Sequence, residues 1–295
     1  MQTKSHAQRS NGHAYLLAPL ALLAGLLLAC PSASTSNDNS ALILALASGA
    51  AGGSSSGCPA ASGPATGTYL ADTVISAPGA TGQGFKNSSL AVNGICGGGT
   101  SSGSTDVYEL DQTGAGATLT LGWSSHTVMN GSGVDFIVFE NAFYQNGNSS
   151  IRFMEAVIVE VRDDITGRWC GFTGLDYNPG GPETTYSTNP AHWIGFAGLT
   201  PTLYNQVFNA LSASAIFDPS QGGGDGFDLS NLASASTFGN DCNSTARTNI
   251  LANGLTQVRL HAASSKTNPD SGSAFPVDTA AFDDGPDIDG VLARY

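Results

Sequence analysis

Apolar residues along this chain come in short alternating runs, joined by stretches rich in Gly, Asn, Ser and Thr. Ala117–Trp123, ATLTLGW, sets Leu119, Leu121 and Trp123 on one face. Glu155–Asp164 does the same with Val157, Val159 and Val161, and Leu255–Ser264 sets Val258, Leu260 and Ala262 against Arg259 and His261. A period of two is the mark of a strand with one buried face. Val134–Asn141, VDFIVFEN, is apolar on both faces and predicts a central strand. Ala71–Ala77, Asp106–Gln112 and Asp287–Tyr295 complete the strand set. Helical periodicity is scarce. Its best candidates are Pro190–Gly198, started by Asn189-Pro190, and Leu203–Ala213.

Many short strands, turn-rich joints and no alternation of strand with helix predict an all-β fold. The expected body is a single antiparallel β-sandwich over residues 67–295, with loop excursions and one or two short helices. The unit VEVRDDITGRW, Val159–Trp169, reads as a hairpin that carries an aromatic onto the next strand. That order of strands resembles the galactose-binding-like jelly rolls of discoidin domains and many carbohydrate-binding modules. The resemblance implies a fold and leaves function open.

Upstream the pattern changes. Lys4, His6 and Arg9 precede an almost wholly apolar run from Tyr15 to Ala29, too short for a comfortable membrane span and sized as a secretory h-region. It ends on Leu27-Leu28-Ala29-Cys30, which resembles the lipobox of bacterial lipoproteins. In that family the cysteine is lipidated and becomes the first residue of the mature chain. Residues 1–29 are therefore expected to be a lipoprotein signal peptide, and Cys30 the lipidated residue that anchors the protein to a membrane. Residues 30–66 read as a tether, with Gly49–Gly57 (GAAGGSSSG) as flexible linker and one apolar island at Ala41–Ala47.

Charge narrows the partners. Residues 1–29 hold Lys4 and Arg9 and no acid, so 8 of the 10 basic side chains remain against 23 acidic ones, a formal charge of −15. Such a chain repels nucleic acid and anionic lipid and favours cations. Four cysteines follow Cys30: Cys58, Cys96, Cys170 and Cys242. An even count in an exported chain predicts two disulfides with three connectivities open, and proximity favours Cys58–Cys96 with Cys170–Cys242.

Several runs tie the chain to known sequences. Ala71–Phe85 (ADTVISAPGATGQGF), Ala91–Leu110, Gly131–Phe143 (GSGVDFIVFENAF), Tyr186–Asn205, Gly223–Leu229, Lys266–Asp270 and Gly285–Tyr295 (GPDIDGVLARY) are similar to a family of uncharacterised leptospiral (spirochaete) surface lipoproteins. The resemblance implies an exported protein anchored by lipid at the cell envelope, on the outer membrane, facing outward or into the periplasm. It carries no activity with it.

The acids are unevenly spread. Asp283, Asp284, Asp287 and Asp289 fall within seven residues, and this density suggests a Ca²⁺ site of irregular loop type. The EF-hand spacing is not met, since Gly285 stands where its first Asp belongs. Asp225 and Asp228 in a Gly-rich turn, with Asp135, Glu140 and Asn141 around the central strand, are weaker candidates; turn capping competes with metal binding for all of them. Among the rings, His192, Trp193 and Tyr204 could stack on a sugar, or could form a small core for a loop excursion. No H-E-x-x-H or P-loop pattern occurs. The expectation is a non-enzymatic binding or adhesion domain, with glycan or host extracellular protein as ligand. Its competitors are a purely structural envelope lipoprotein and a glycan-directed hydrolase using the acidic loops.

Overall fold

The computed structural model describes residues 63–278 and 285–295. The expected signal peptide, Cys30, most of the tether, Cys58, Asp283 and Asp284 lie outside the described residues.

The strand pattern is realised as two antiparallel sheets, giving an all-β sandwich. One sheet runs β1 (Tyr69–Leu70), β14 (Asp287–Ala293), β5 (Phe136–Glu140) and β12 (Asp225–Phe227), with β3 (Tyr108–Glu109) also paired to β14. The other runs β2 (Thr73–Ser76), β4 (Thr118–Gly122), β13 (Gln257–Ala262), β8 (Val157–Arg162) and β9 (Trp169–Gly171). Two hairpins stand apart: β6 (Phe143–Gln145) with β7 (Asn148–Phe153), and β10 (Asp176–Tyr177) with β11 (Trp193–Ile194).

Alternation decides what each face buries. Leu119, Leu121, Val159, Val161, Val258 and Leu260 of one sheet share a single core with Phe136, Val138, Val291 and Ala293 of the other. Each of the Val, Leu and Phe side chains contributes about 1.5–3 kcal/mol by leaving water. The odd residues of β5 face away from that core. Ile137 and Phe139 pack instead with Ile95, Tyr204, Ile216, Phe217 and Leu292, so the loop excursion after β11 covers the outer face of the sheet. The two-sided apolarity of VDFIVFEN thus reflects a strand covered on both sides.

The hairpin at Val159–Trp169 is present, with Arg162 opposite Trp169 and Asp163 closing the turn through Ile165 N–H (3.0 Å). The helical expectations fare differently. Pro190–His192 forms one 3₁₀ turn, capped by Asn189, and then passes into β11. Leu203–Ala213 is not a helix. The Asn205 carboxamide accepts from the N–H groups of Val207 and Phe208, and Asn209 N–H closes on Asn205 C=O, so the chain turns there. Helix begins only at Ala213 and ends at Ile216. A second helix, Ser244–Asn253, is capped by the Asn243 side chain at one end and by Gly254, at φ +75°, at the other.

The run Gly222-Gly223-Gly224 has a packing cause. A Cβ would lie 2.0 Å from Ile216 O at Gly222 and 1.9 Å from Pro201 O at Gly223. At Gly224 it would meet Ile137 and Phe139 side-chain carbons at 2.7 Å. Only glycine lets this segment reach the sheet edge and pair as β12.

Cys170 on β9 and Cys242, just before the second helix, form a disulfide across 72 positions. That is the expected pairing. Cys96 is also a disulfide cysteine, and its expected partner Cys58 lies outside the described residues.

Candidate functional site

The ends of β5 and β14 bring three of the expected residues together. Glu140 stands opposite Ile288, and alternation from Phe136 and Val138 turns its side chain toward the inter-sheet core. It is 1% exposed. Glu140 Oε1 accepts from Asp287 N–H at 3.4 Å, while Oε2 has no hydrogen-bond partner among the described residues. Asn141 Nδ2 donates to Asp287 Oδ2 (3.2 Å) and to Ser104 C=O (3.0 Å). Burial pushes the Glu140 carboxyl well above its usual range, and the neighbouring Asp287 charge adds to that. Burial and the half-buried Asp287 beside it both favour the protonated form of Glu140.

The other acids are tied to backbone. Asp289, 1% exposed, accepts from Cys96 N–H through both oxygens at 3.0 Å, and burial raises its carboxyl well above the usual range. Asp135 accepts from Gly131 N–H (2.7 Å) and Leu229 N–H (2.8 Å), joining the turn before β5 to the segment after β12. Asp225 accepts from Leu199 and Thr200 N–H groups at 2.9 and 3.3 Å. Asp228 caps a 3₁₀ turn through Ser230 N–H (2.8 Å). Among the described residues, no group of three His, Cys, Asp or Glu side chains is placed to hold a metal ion.

The proposed ligand-binding rings do not form a platform. Trp193 and Tyr204 are each 2% exposed. Trp193 packs with Tyr177 (centroids 3.9 Å apart) and edge-on to Phe196, and donates from Nε1 to Ser187 C=O. Tyr204 belongs to the layer over β5. His192 is half-buried, with Nδ1 2.7 Å from Ser187 Oγ. Trp193 sits in a small core with Tyr177, Phe196 and Phe275 under the loop excursion, and Tyr204 in the separate one over β5.

A polar network on the outer face of the second sheet was missed by sequence reasoning, which set Arg259 and His261 on the polar face of their strand without joining them to Glu160. Cross-strand register sets Arg259 beside Glu160 and His261 beside Thr118. Glu160 Oε2 accepts from Arg259 Nη2 (2.6 Å) and from His261 Nε2 (2.8 Å), and its Oε1 from Asn240 Nδ2 (3.0 Å). Burial works against the Glu160 charge, but the His261 and Arg259 partners win and hold its carboxyl at about 2. Burial lowers the His261 pKa, so the ring is neutral at pH 7 and still donates from Nε2, while Nδ1 accepts from Thr118 Oγ1 at 3.0 Å. Hydroxyl, imidazole and carboxylate thus stand in line. Yet His261 is only 5% exposed and Arg259 already neutralises Glu160, so the arrangement ties β4, β13 and β8 together.

One cleft of ≈ 350 Å³ opens beside β1. Its wall includes Tyr69, Asp72, Asn93, Trp123, His126 and Gln206. Tyr69 is 41% exposed and stacks on His126 with centroids 3.5 Å apart and planes 9° apart. Trp123, buried beneath, donates from Nε1 to Tyr69 C=O (2.9 Å). The Asp72 carboxylate takes Ser124 N–H (2.8 Å) and Oγ–H (2.6 Å), fixing the loop that carries His126. Sequence reading assigned Trp123 to the core and had no signal for this cleft, because its walls come from β1, the 3₁₀ segment near residue 92 and the loop at residue 206.

Comparison with protein-family models, with curated proteins and with solved structures finds no match to this chain.

Proposed function

We propose that the protein is an exported lipoprotein, held at the cell envelope by acyl chains on Cys30, whose β-sandwich serves in binding a glycan or host-protein ligand. The observation that carries this reading is the Cys170–Cys242 disulfide, with Cys170 fully buried in the inter-sheet core. Cytosolic thiol pools keep such pairs reduced, so a core built around one fits an oxidising compartment. The apolar run ending Leu27-Leu28-Ala29-Cys30 supplies the export signal and the acceptor thiol. Three acyl chains, each contributing about 0.8 kcal/mol per buried CH₂, would make the attachment effectively permanent. The acidic body needs this anchor, because its own charge repels anionic lipid.

The test is metabolic labelling with radioactive palmitate, comparing the native chain with Cys30→Ser. Label in the native chain and none in the variant is expected, with Cys170 and Cys242 resistant to alkylation until a reductant is added. Label retained by Cys30→Ser, or free thiols in the protein taken from cells, would overturn the reading.

A further inference from the structure

We propose that the cleft beside β1 is a binding site for a neutral saccharide, with the Tyr69 ring as its stacking platform. This rests on the binding reading above and names its ligand class.

Three features of the cleft select that chemistry. The first is a ring with an available face. His126 covers one side of Tyr69, and the ring is nonetheless 41% exposed on the cleft wall. The stack also fixes its tilt, because His126 Nε2 is held 2.8 Å from Tyr295 C=O and the Tyr69 backbone is held by Trp123. A rigid aromatic face presented to water suits the C–H face of a pyranose, which is apolar and flat.

The second is a polar group on the cleft wall that the described fold leaves unused. Gln206 lines the cleft and is 8% exposed; its Oε1 accepts from Ile95 N–H at 3.0 Å, and its Nε2 makes no hydrogen bond among the described residues. Asn93, also on the wall, spends its Nδ2 on the Asp106 carboxylate at 3.1 Å. A ligand hydroxyl can accept from the Gln206 amide.

The third is charge. Among the described residues no Lys or Arg lines the cleft, and Asp72 supplies a carboxylate. An anionic ligand would meet repulsion with no cation to offset it, which sets aside sulfated and sialylated sugars, phosphates and acidic peptides. What remains is a neutral ligand with a flat apolar face and many hydroxyls.

The experiment uses the full processed chain in detergent micelles on a glycan array with neutral, sialylated and sulfated members, followed by calorimetry with the strongest neutral oligosaccharide. Two variants report the site. Tyr69→Ala removes the platform and is expected to raise Kd about tenfold. Ser125→Trp places a bulky side chain at an exposed position of the cleft wall, removes no internal tie, and is expected to abolish binding. Neutral glycans bound by the native chain and lost in Ser125→Trp, at unchanged melting temperature, are the predicted result. Binding confined to anionic glycans, binding unaffected by Ser125→Trp, or no glycan binding would overturn the proposal. Retained binding of a matrix protein alongside no glycan binding would sink the saccharide site and leave the wider binding reading standing.

Discussion

The backbone N–H of Cys96 donates to both carboxylate oxygens of Asp289, at 3.0 Å each, across 193 positions of the chain. This contact fixes the segment before the loop at Gly97 to the middle of β14, where a bulge falls between Ile288 and Gly290. Asp289→Ala removes the acceptor and leaves the N–H in a buried setting, at a cost of about 1–3 kcal/mol. Asp289→Asn keeps an acceptor oxygen and is expected to recover most of that. Urea denaturation midpoints of the two variants check the order.

Acid lability follows from Glu160. Its carboxyl is held at about 2, against 4.5 when unfolded. The stabilisation is fully present above pH 4.5 and is lost as pH falls from there toward 2. For a group this buried it amounts to roughly 3 kcal/mol. His261 acts in the same sense, because its lowered pKa means that acid charges the unfolded ring first. Glu160→Ala leaves Arg259 without its buried partner and is expected to cost about 3–5 kcal/mol at pH 7. The variant should also lose most of the native steepness between pH 4.5 and 3, read by circular dichroism melts.

The Glu140 pair works in the opposite sense. Its carboxyl is raised, so the stability it contributes is complete below pH 4.5 and lost as pH rises through the folded value. Over that window each such group removes up to about 1.4 kcal/mol per pH unit. Glu140→Gln cannot ionise. Its stability is expected to fall less than that of the native chain between pH 5 and 8, and parallel slopes in urea titrations would contradict this.

Loss of the disulfide offers a fourth handle. The Cys170–Cys242 bridge closes a loop of 72 positions around β10, β11 and β12. The chain-entropy account gives about 4 kcal/mol for a loop of this size. The double variant Cys170→Ala/Cys242→Ala is therefore expected to unfold at clearly lower urea while keeping the native far-ultraviolet spectrum.

Much of the fold could be read from the alternation of Leu119, Leu121 and Trp123, of Val157, Val159 and Val161, and of Val258 and Leu260, because one buried face leaves a period of two. The helix Ser244–Asn253 left no such trace. Only Ala246 and Ile250 are buried in it, too few for a stripe, and its signals were its caps, Asn243 and Gly254. Leu203–Ala213 misled in the reverse direction, since Tyr204 and Leu211 pack over β5 while Val207 and Phe208 stand exposed at a turn set by Asn205. The acids Asp135, Asp225 and Asp228 were visible as a group, but their amide partners at Leu229, Leu199 and Ser230 follow from tertiary placement or local capping that composition does not reveal. Tyr69 and Gln206 were invisible as a pair for the same reason: 137 positions of chain separate two walls of one cleft.

Mass spectrometry of the amino-terminal peptide from the native protein tests the central claim most directly. A peptide beginning at Cys30 and carrying the mass of a diacylglyceryl thioether is the predicted result. A peptide that retains residues 1–29, or one that begins at an unmodified Cys30, would contradict it.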